Sequence, residues 1–367
     1  MTSRALAGFT IGVTADRRAD EQATLFERQG ATVLYGPTVR VAPVAEIGDL
    51  LTATREMIAR PPDHLVLLSA FGVECWLETA AAMGLDRELR EAIGQTEVWS
   101  RGTKPVGAAI VAGLSVANVV EGHEALLEQL LAVTDGAADV ALVLDGSGVC
   151  DGLERLEASG LTTRSIESYH YDPPSDLEPA LRLLRSTVDG QVDAVTFTSR
   201  PAVERFAELA DGDGVLDDVL AALRERCVPV CVGPASATAA AKLGLHPVVP
   251  ERSRLGVLVH AAACELSSRS GSYEVYGVEF AVQGRLVKVA GQELVLSDRE
   301  RHLLDALRRA EGRVISKAEL LRDVWQGDSD PHVVEVNVAR LRRRLGPASD
   351  AIETVYRRGY RWSGVKR

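Results

Sequence analysis

The chain has 367 residues, 46% of them hydrophobic and 25% charged, with a formal net charge of −11. That length calls for two or three domains, and the balance is that of a soluble globular protein. No apolar stretch approaches the roughly 20 residues that span a bilayer, and the opening MTSRALAGFTIGV lacks the basic segment, apolar run and cleavage site of a signal peptide, so a cytoplasmic protein without a membrane partner is expected.

Taken in chain order, the first 265 residues alternate short apolar runs (FTIGVTA, HLVLLS, DVALVLDG, DAVTFTS, VPVCVGP) with Ala/Leu/Glu-rich segments. This is the pattern of βα units around parallel sheets. Within it lies a repeat: DHLVLLSAFGVECWLE (63–78) aligns without gaps on DAVTFTSRPAVERFAE (193–208), setting Asp63, Ser69 and Trp76 opposite Asp193, Ser199 and Phe206. A second pair, Gly102 with Gly113-Leu114 and Gly233 with Gly244-Leu245, keeps nearly the same offset. Each unit reads strand, Ser or Gly turn, helix, which predicts two equivalent lobes with a cleft between them. The Gly-rich LVLDGSGVCDG (142–152) lacks both the lysine of a P-loop and the G-x-G-x-x-G order of a dinucleotide turn, so no cofactor is expected. The odd set Cys75, Cys150, Cys227, Cys231 and Cys264 argues against a disulfide framework. Cys227 and Cys231, in CVPVCV, have no metal-ligand spacing around them and read as buried small hydrophobes, so no metal is expected.

A small, polar stretch at 266–272 reads as a linker, and the pattern then changes. EVYGVEFAVQGRLVKVAGQELVLS alternates like an antiparallel meander, and helical patterns follow at about 298–310, 316–325 and 331–345. The charge changes with it. Residues 272–367 carry a net +4 and the rest a net −15, while 336–367 holds nine basic residues against two acidic ones. Only this end is built to meet phosphate.

In HVVEVNVARLRRRLG, Val334, Val338, Leu341 and Leu345 fall at the spacing of a helix core stripe. That leaves Val333, Val336, Asn337, Arg340, Arg343 and Arg344 on the other side, where Arg suits guanine, Asn adenine and Val a thymine methyl. IETVYRRGYRW then reads as strand, basic turn and strand, a wing whose Arg357 and Arg358 would reach phosphate or the minor groove. Double-stranded DNA is the expected partner.

LVLSDRERHLLDALRRAEGRVISKAELLRDVW, VVEVNVARLRRRLG and IETVYRRGYRW together resemble the OmpR-type winged helix. The resemblance implies DNA contacts from His332, Val336, Asn337, Arg340, Arg342 and the wing's Thr354. Ala339 and Tyr356 stand where some relatives have arginine, so operator preference does not transfer. The body, through GFTIGVTADRR…LFERQGATVLYGPTVRVAP, VDAVTFTSRPAVERF and VGPASATAAAKLGLHPVVPE, resembles uroporphyrinogen-III synthase (HemD) over about residues 7–265. This implies an α/β fold with a bilobed body at 1–265, lobe one being 1–38 plus 172–265 and lobe two 41–165, joined by two crossing strands. The linker would occupy 266–272 and the winged helix-turn-helix 273–367.

A synthase substrate of this kind carries many carboxylates, and helix N-termini are ready anion sites. Ser69, Ser199, Gly233 and Ser236 are the candidate cleft residues, each also readable as a plain cap or turn residue. Lys104 matches a family turn. The resemblance implies a place near the cleft for Tyr169 and, if activity is retained, a role for it as catalytic acid, with Tyr171 as the neighbouring alternative. The whole fusion resembles actinobacterial HemD-type regulators of nitrate and nitrite assimilation. It implies a transcription regulator with a tetrapyrrole or other polycarboxylate ligand and a possible homodimer, or alternatively a working synthase carrying a DNA-binding module.

Overall fold

The structure, a computed structural model, describes residues 4–44, 47–134, 136–146, 153–325 and 330–366. Cys150 and the 147–152 part of the Gly-rich stretch lie outside the described residues. Contacts divide the chain into two units, Val39–Pro173 and Met1–Thr38 with Pro174–Arg367.

The chain opens with β1 (Thr10–Val13), α1 (Ala19–Arg28) and β2 (Thr32–Tyr35). The Val39–Pro173 unit, lobe two, follows as β3 (Arg40–Pro43), α2 (Ile47–Ala59), β4 (His64–Leu67), α3 (Ala70–Ala82), α4 (Asp86–Ile93), β5 (Glu97–Arg101) and α5 (Thr103–Val111). It continues with β6 (Asn118–Val120), α6 (His123–Val133), β7 (Asp139–Val143), α7 (Leu153–Ala158), β8 (Thr162–Ile166) and β9 (Tyr169–Asp172). Its main sheet runs β6-β5-β4-β7-β8, and every pairing in it is parallel. The central β4 is buried along its whole length, as a strand covered by helices on both faces must be. β3 and β9 pair separately as an antiparallel ribbon.

Lobe one resumes with α8 (Glu178–Val188), β10 (Ala194–Phe197), α9 (Arg200–Gly212), α10 (Leu216–Glu225), β11 (Val228–Cys231), α11 (Pro234–Lys242) and α12 (Leu255–Ser268). Its parallel sheet runs β11-β10-β1-β2, extended beside β11 by a bridge from Val230 to Val248. The two sheets have one plan. β4 and β10 are equivalent centres, β7–β8 matches β1–β2, and β5 matches β11. The repeated residues behave alike: Trp76 and Phe206 are buried, as are Leu114 and Leu245, each following a positive-φ glycine (Gly113, Gly244) that closes its helix.

The winged helix comprises β12 (Gly271–Val275), β13 (Val278–Gln283), β14 (Leu286–Val289), β15 (Gln292–Val295), α13 (Asp298–Arg309), α14 (Lys317–Trp325), α15 (His332–Leu345), β16 (Ile352–Val355), β17 (Gly359–Trp362) and β18 (Val365–Lys366). The expected four-strand meander is present and gains β18 as a fifth strand beside β12. A reciprocal Ser297–Glu300 capping box fixes the start of α13. The expected linker at 266–272 is corrected. α12 runs through Ser268 and β12 begins at Gly271, so only Arg269 and Ser270 lie between them. The apolar spacing Leu258, Val259, Ala262, Ala263, Leu266 buries one face of α12 to within two residues of its end, and this outweighs the small polar composition.

Candidate functional site

In α15, Val334, Val338, Leu341 and Leu345 are buried, as the stripe predicts. Val333 also packs against that core rather than facing outward, because a globular helix buries a wider arc than a strict four-residue stripe. The outward face carries His332, Val336, Arg340 and Arg343, with Val336 45% exposed despite being apolar. Arg340 and Arg343 are exposed and make no ion pair among the described residues. Asn337 is half-buried, and its amide donates to the Val333 carbonyl at 2.8 Å, a bond it must exchange to read a base.

Two of the expected DNA contacts, Arg342 and Arg344, already have partners within the domain. Arg342 donates to the Ile352 carbonyl (Nε, 2.9 Å) and to Thr354 Oγ1 (Nη2, 2.9 Å), and lies over the Tyr360 ring, so it is a strut between α15 and the wing. Thr354 is exposed but is held by that strut. Arg344 pairs with the buried Glu300 and donates to the Val295 carbonyl at 2.7 Å. In both cases a carboxylate or carbonyl of the domain already accepts from the guanidinium, so a DNA contact would have to use its remaining donors or exchange these bonds.

At the wing, Arg357 occupies the left-handed region (φ 56) and lies over Tyr356, while Arg358 is exposed beside it. Sequence reasoning missed Lys317 at the start of α14. It pairs with Glu335 of α15, which also meets His332 Nδ1 at 3.0 Å. Lys317 first, then His332, holds the Glu335 carboxyl below its ordinary range.

In lobe two, Ser69 caps α3 by accepting the Gly72 N–H at 3.2 Å, and its hydroxyl meets that of Tyr169 at 2.9 Å. Tyr169 is 3% exposed, and its hydroxyl donates to the Asp145 carbonyl at 2.6 Å. Its ring packs edge-on against Phe71 and Tyr171, and Gly146, with positive φ, leaves no space for a side chain beside it. Burial above all raises the Tyr169 phenol far beyond the ordinary tyrosine range. As placed, its proton is directed at a backbone carbonyl and is held more tightly than in water. Tyr171, half-buried, is the more accessible of the two. Lys104 is exposed on the first turn of α5, whose N-terminus follows Gly102.

In lobe one, Ser199 caps α9 by accepting the Ala202 N–H at 3.3 Å. Ser236 is buried, and its hydroxyl donates to the Gly233 carbonyl at 3.0 Å, so it is not presented at a surface. Gly233 is extended rather than left-handed, and a Cβ there would overlap Ser253 Oγ. Cys227 and Cys231 are buried free thiols, and burial raises both, Cys231 to about 11. The described residues hold no group of three metal-ligating side chains and no helix long and apolar enough to cross a membrane.

Comparison with known proteins gives each part a family. Residues 20–260 match the model of "Uroporphyrinogen-III synthase HemD", and residues 291–362 match "Transcriptional regulatory protein, C terminal". The Bacillus subtilis "Uncharacterized protein YjjA" is 28% identical over 262 residues, 70% of this chain and 95% of that protein. A solved uroporphyrinogen III synthase from Thermus thermophilus superposes with a TM-score of 0.59 at 27% identity, covering 70% of this chain and 99% of the enzyme. The transcriptional regulatory protein CutR of Streptomyces coelicolor is 39% identical over 87 residues, 23% of this chain and 40% of that protein. The α/β body with its paired parallel sheets and the basic helix followed by a wing thus have separate counterparts, and the chain belongs to the uroporphyrinogen-III synthase HemD family, with an OmpR-type DNA-binding domain fused to it.

Proposed function

We propose that the protein is a one-component transcription regulator in which the HemD-like body senses a polycarboxylate, a tetrapyrrole first among them, and the winged helix reads a promoter in double-stranded DNA. The observation that carries this reading is the α15 face: Arg340, Arg343 and a solvent-facing Val336 stand beside a wing bearing Arg357 and Arg358. A helix that merely faced water would gain nothing from an exposed valine between arginines, whereas a thymine methyl would cover it. On the body, the hydroxyl-capped N-termini of α3 and α9 supply the partial positive charge that carboxylates favour. Control of nitrate and nitrite assimilation or of tetrapyrrole metabolism is the physiological setting we infer from the fusion.

The test is operator selection with the full chain. Arg340→Ala is expected to weaken specific binding by about 1–3 kcal/mol and relax one base position, and Arg357→Ala to weaken binding on all sequences and flatten its salt dependence. Binding unchanged in both variants would reject this surface. Ligand sensing is tested by thermal shift: a polycarboxylate tetrapyrrole should raise the melting temperature, as any ligand of the native state must.

The extent of the family match, 20–260, supports a second reading, retained synthase chemistry. Incubation with hydroxymethylbilane decides it: formation of the III isomer establishes an enzyme, and its absence leaves the sensor.

A further inference from the structure

Arg301 lies in the first turns of α13 and Asp193 immediately before β10, 108 residues apart. Their side chains form a two-pronged ion pair, with Asp193 3% and Arg301 13% exposed. Asp193 also accepts the Thr10 N–H at 2.7 Å, tying the pair to the edge where β1 and β10 meet. Beside it, His302 Nε2 meets the Gly190 carbonyl at 3.1 Å.

A second attachment is independent of the first. The turn between β13 and β14 lies on the segment before β1: the Gln283 amide donates to the carbonyls of Arg4 and Ala5, and the Arg285 N–H donates to Gly8 at 2.8 Å. Gly8 and Gly284, both at positive φ, approach so closely that a Cβ on either would overlap the other segment's backbone. The third is the junction: Arg269 donates to the Arg226 carbonyl at 2.9 Å, leaving two residues between helix and strand.

We infer that the DNA-binding domain is docked on lobe one rather than tethered to it, with the Asp193–Arg301 pair as its lock, so that lobe one and the winged helix move as one body. A tethered domain would leave each of these charges in water, and burying them is unfavourable unless each finds its partner in good geometry. The docking leaves Val336, Arg340 and Arg343 exposed, so the reader is presented, not masked. If the regulator reading holds, a signal reaches DNA by reorienting this body, not by releasing the reader.

The test needs neither DNA nor ligand, so its failure is separable from failure of that reading. Spin labels are introduced as unnatural amino acids in place of the exposed Lys242 on α11 and Arg322 on α14 of the full chain, and their distance distribution is measured by pulsed electron resonance. One narrow distribution is expected, broadening at least twofold in Arg301→Gln. A broad distribution in the unmodified pair overturns docking, and a distribution left narrow by Arg301→Gln overturns the lock. Should Arg301→Gln fail to fold, Asp193→Asn, which keeps the acceptor for Thr10, gives the same readout.

Discussion

Asp63 in lobe two and Asp193 in lobe one occupy the same place in the same strand–serine–helix unit. Each accepts a backbone N–H at the start of the neighbouring strand, Asp139 in one sheet and Thr10 in the other, at 2.8 and 2.7 Å. Asp63 is exposed, whereas Asp193 is covered by α13 and paired with Arg301. Burial lifts the Asp193 carboxyl above its ordinary range even though Arg301 opposes it, while at Arg301 burial is the strongest single influence and pulls downward, but Asp193 and Asp305 together raise the guanidinium above its ordinary value. Both aspartates stitch two strands together, and Asp193 in addition pairs with the α13 that covers it. The difference lies in what covers the aspartate, not in the repeat itself.

The largest expected effect follows directly. Arg301→Ala leaves a buried carboxylate unpaired and should cost about 3–5 kcal/mol in chemical denaturation. Asp63→Ala, which removes the acceptor at the uncovered counterpart, should cost about 0.5–1.5 kcal/mol, the worth of an ordinary hydrogen bond. Equal losses would break the distinction between the two sites.

The paired glycines come next. Gly113→Ala and Gly244→Ala each force a side chain into a left-handed helix end, at φ 76 and φ 70, and should each cost about 1–2 kcal/mol. The loss should be slightly larger at Gly244, whose Cβ would press on Arg224. Ser69→Ala and Ser199→Ala each remove a cap worth about 1 kcal/mol. Ser69→Ala should exceed Ser199→Ala, because the Tyr169 hydroxyl loses a partner as well. A reversed order by thermal unfolding would mean that Tyr169 is better satisfied by Asp145 alone.

The smallest effect is one of pH and belongs to the covered side alone. Burial lowers the His302 pKa below its ordinary value of about 6.5. The folded state therefore holds the imidazole neutral while the unfolded chain takes up a proton. Stability is complete above the unfolded pKa and falls as pH drops from there toward the folded one. His302→Gln should flatten that slope between pH 7 and pH 5. An unchanged slope would place the acid sensitivity elsewhere.

The repeat, the parallel sheets and the core stripe of α15 were legible because each rests on local periodicity or on a spacing within the chain. Ser69 and Ser199 could be placed at helix starts from their alignment alone. What could not be read was which polar groups are already satisfied. Arg342 and Arg344 look as free as Arg340 in RLRRRL, but Ile352, Glu300 and Val295 reach them from other elements. Tyr169 likewise meets the Asp145 carbonyl only once β7 and β9 are folded. The Asp193–Arg301 pair joins residues that carry no shared pattern, so no sequence signal could have found it.

The shortness of the join between α12 and β12 makes helical phase a functional quantity. An α-helix turns about 100° and advances about 1.5 Å per residue. One residue inserted within 255–268 would swing everything after it by more than a quarter turn, taking Arg301 away from Asp193 and Gly284 away from Gly8. Seven inserted residues, close to two whole turns, would restore the azimuth but carry the reader about 10 Å outward. No insertion satisfies angle and height together. The length of this helix is therefore as constrained as the identity of any residue on its buried face, and exchange of winged helices between members of this architecture should succeed only where that length is kept.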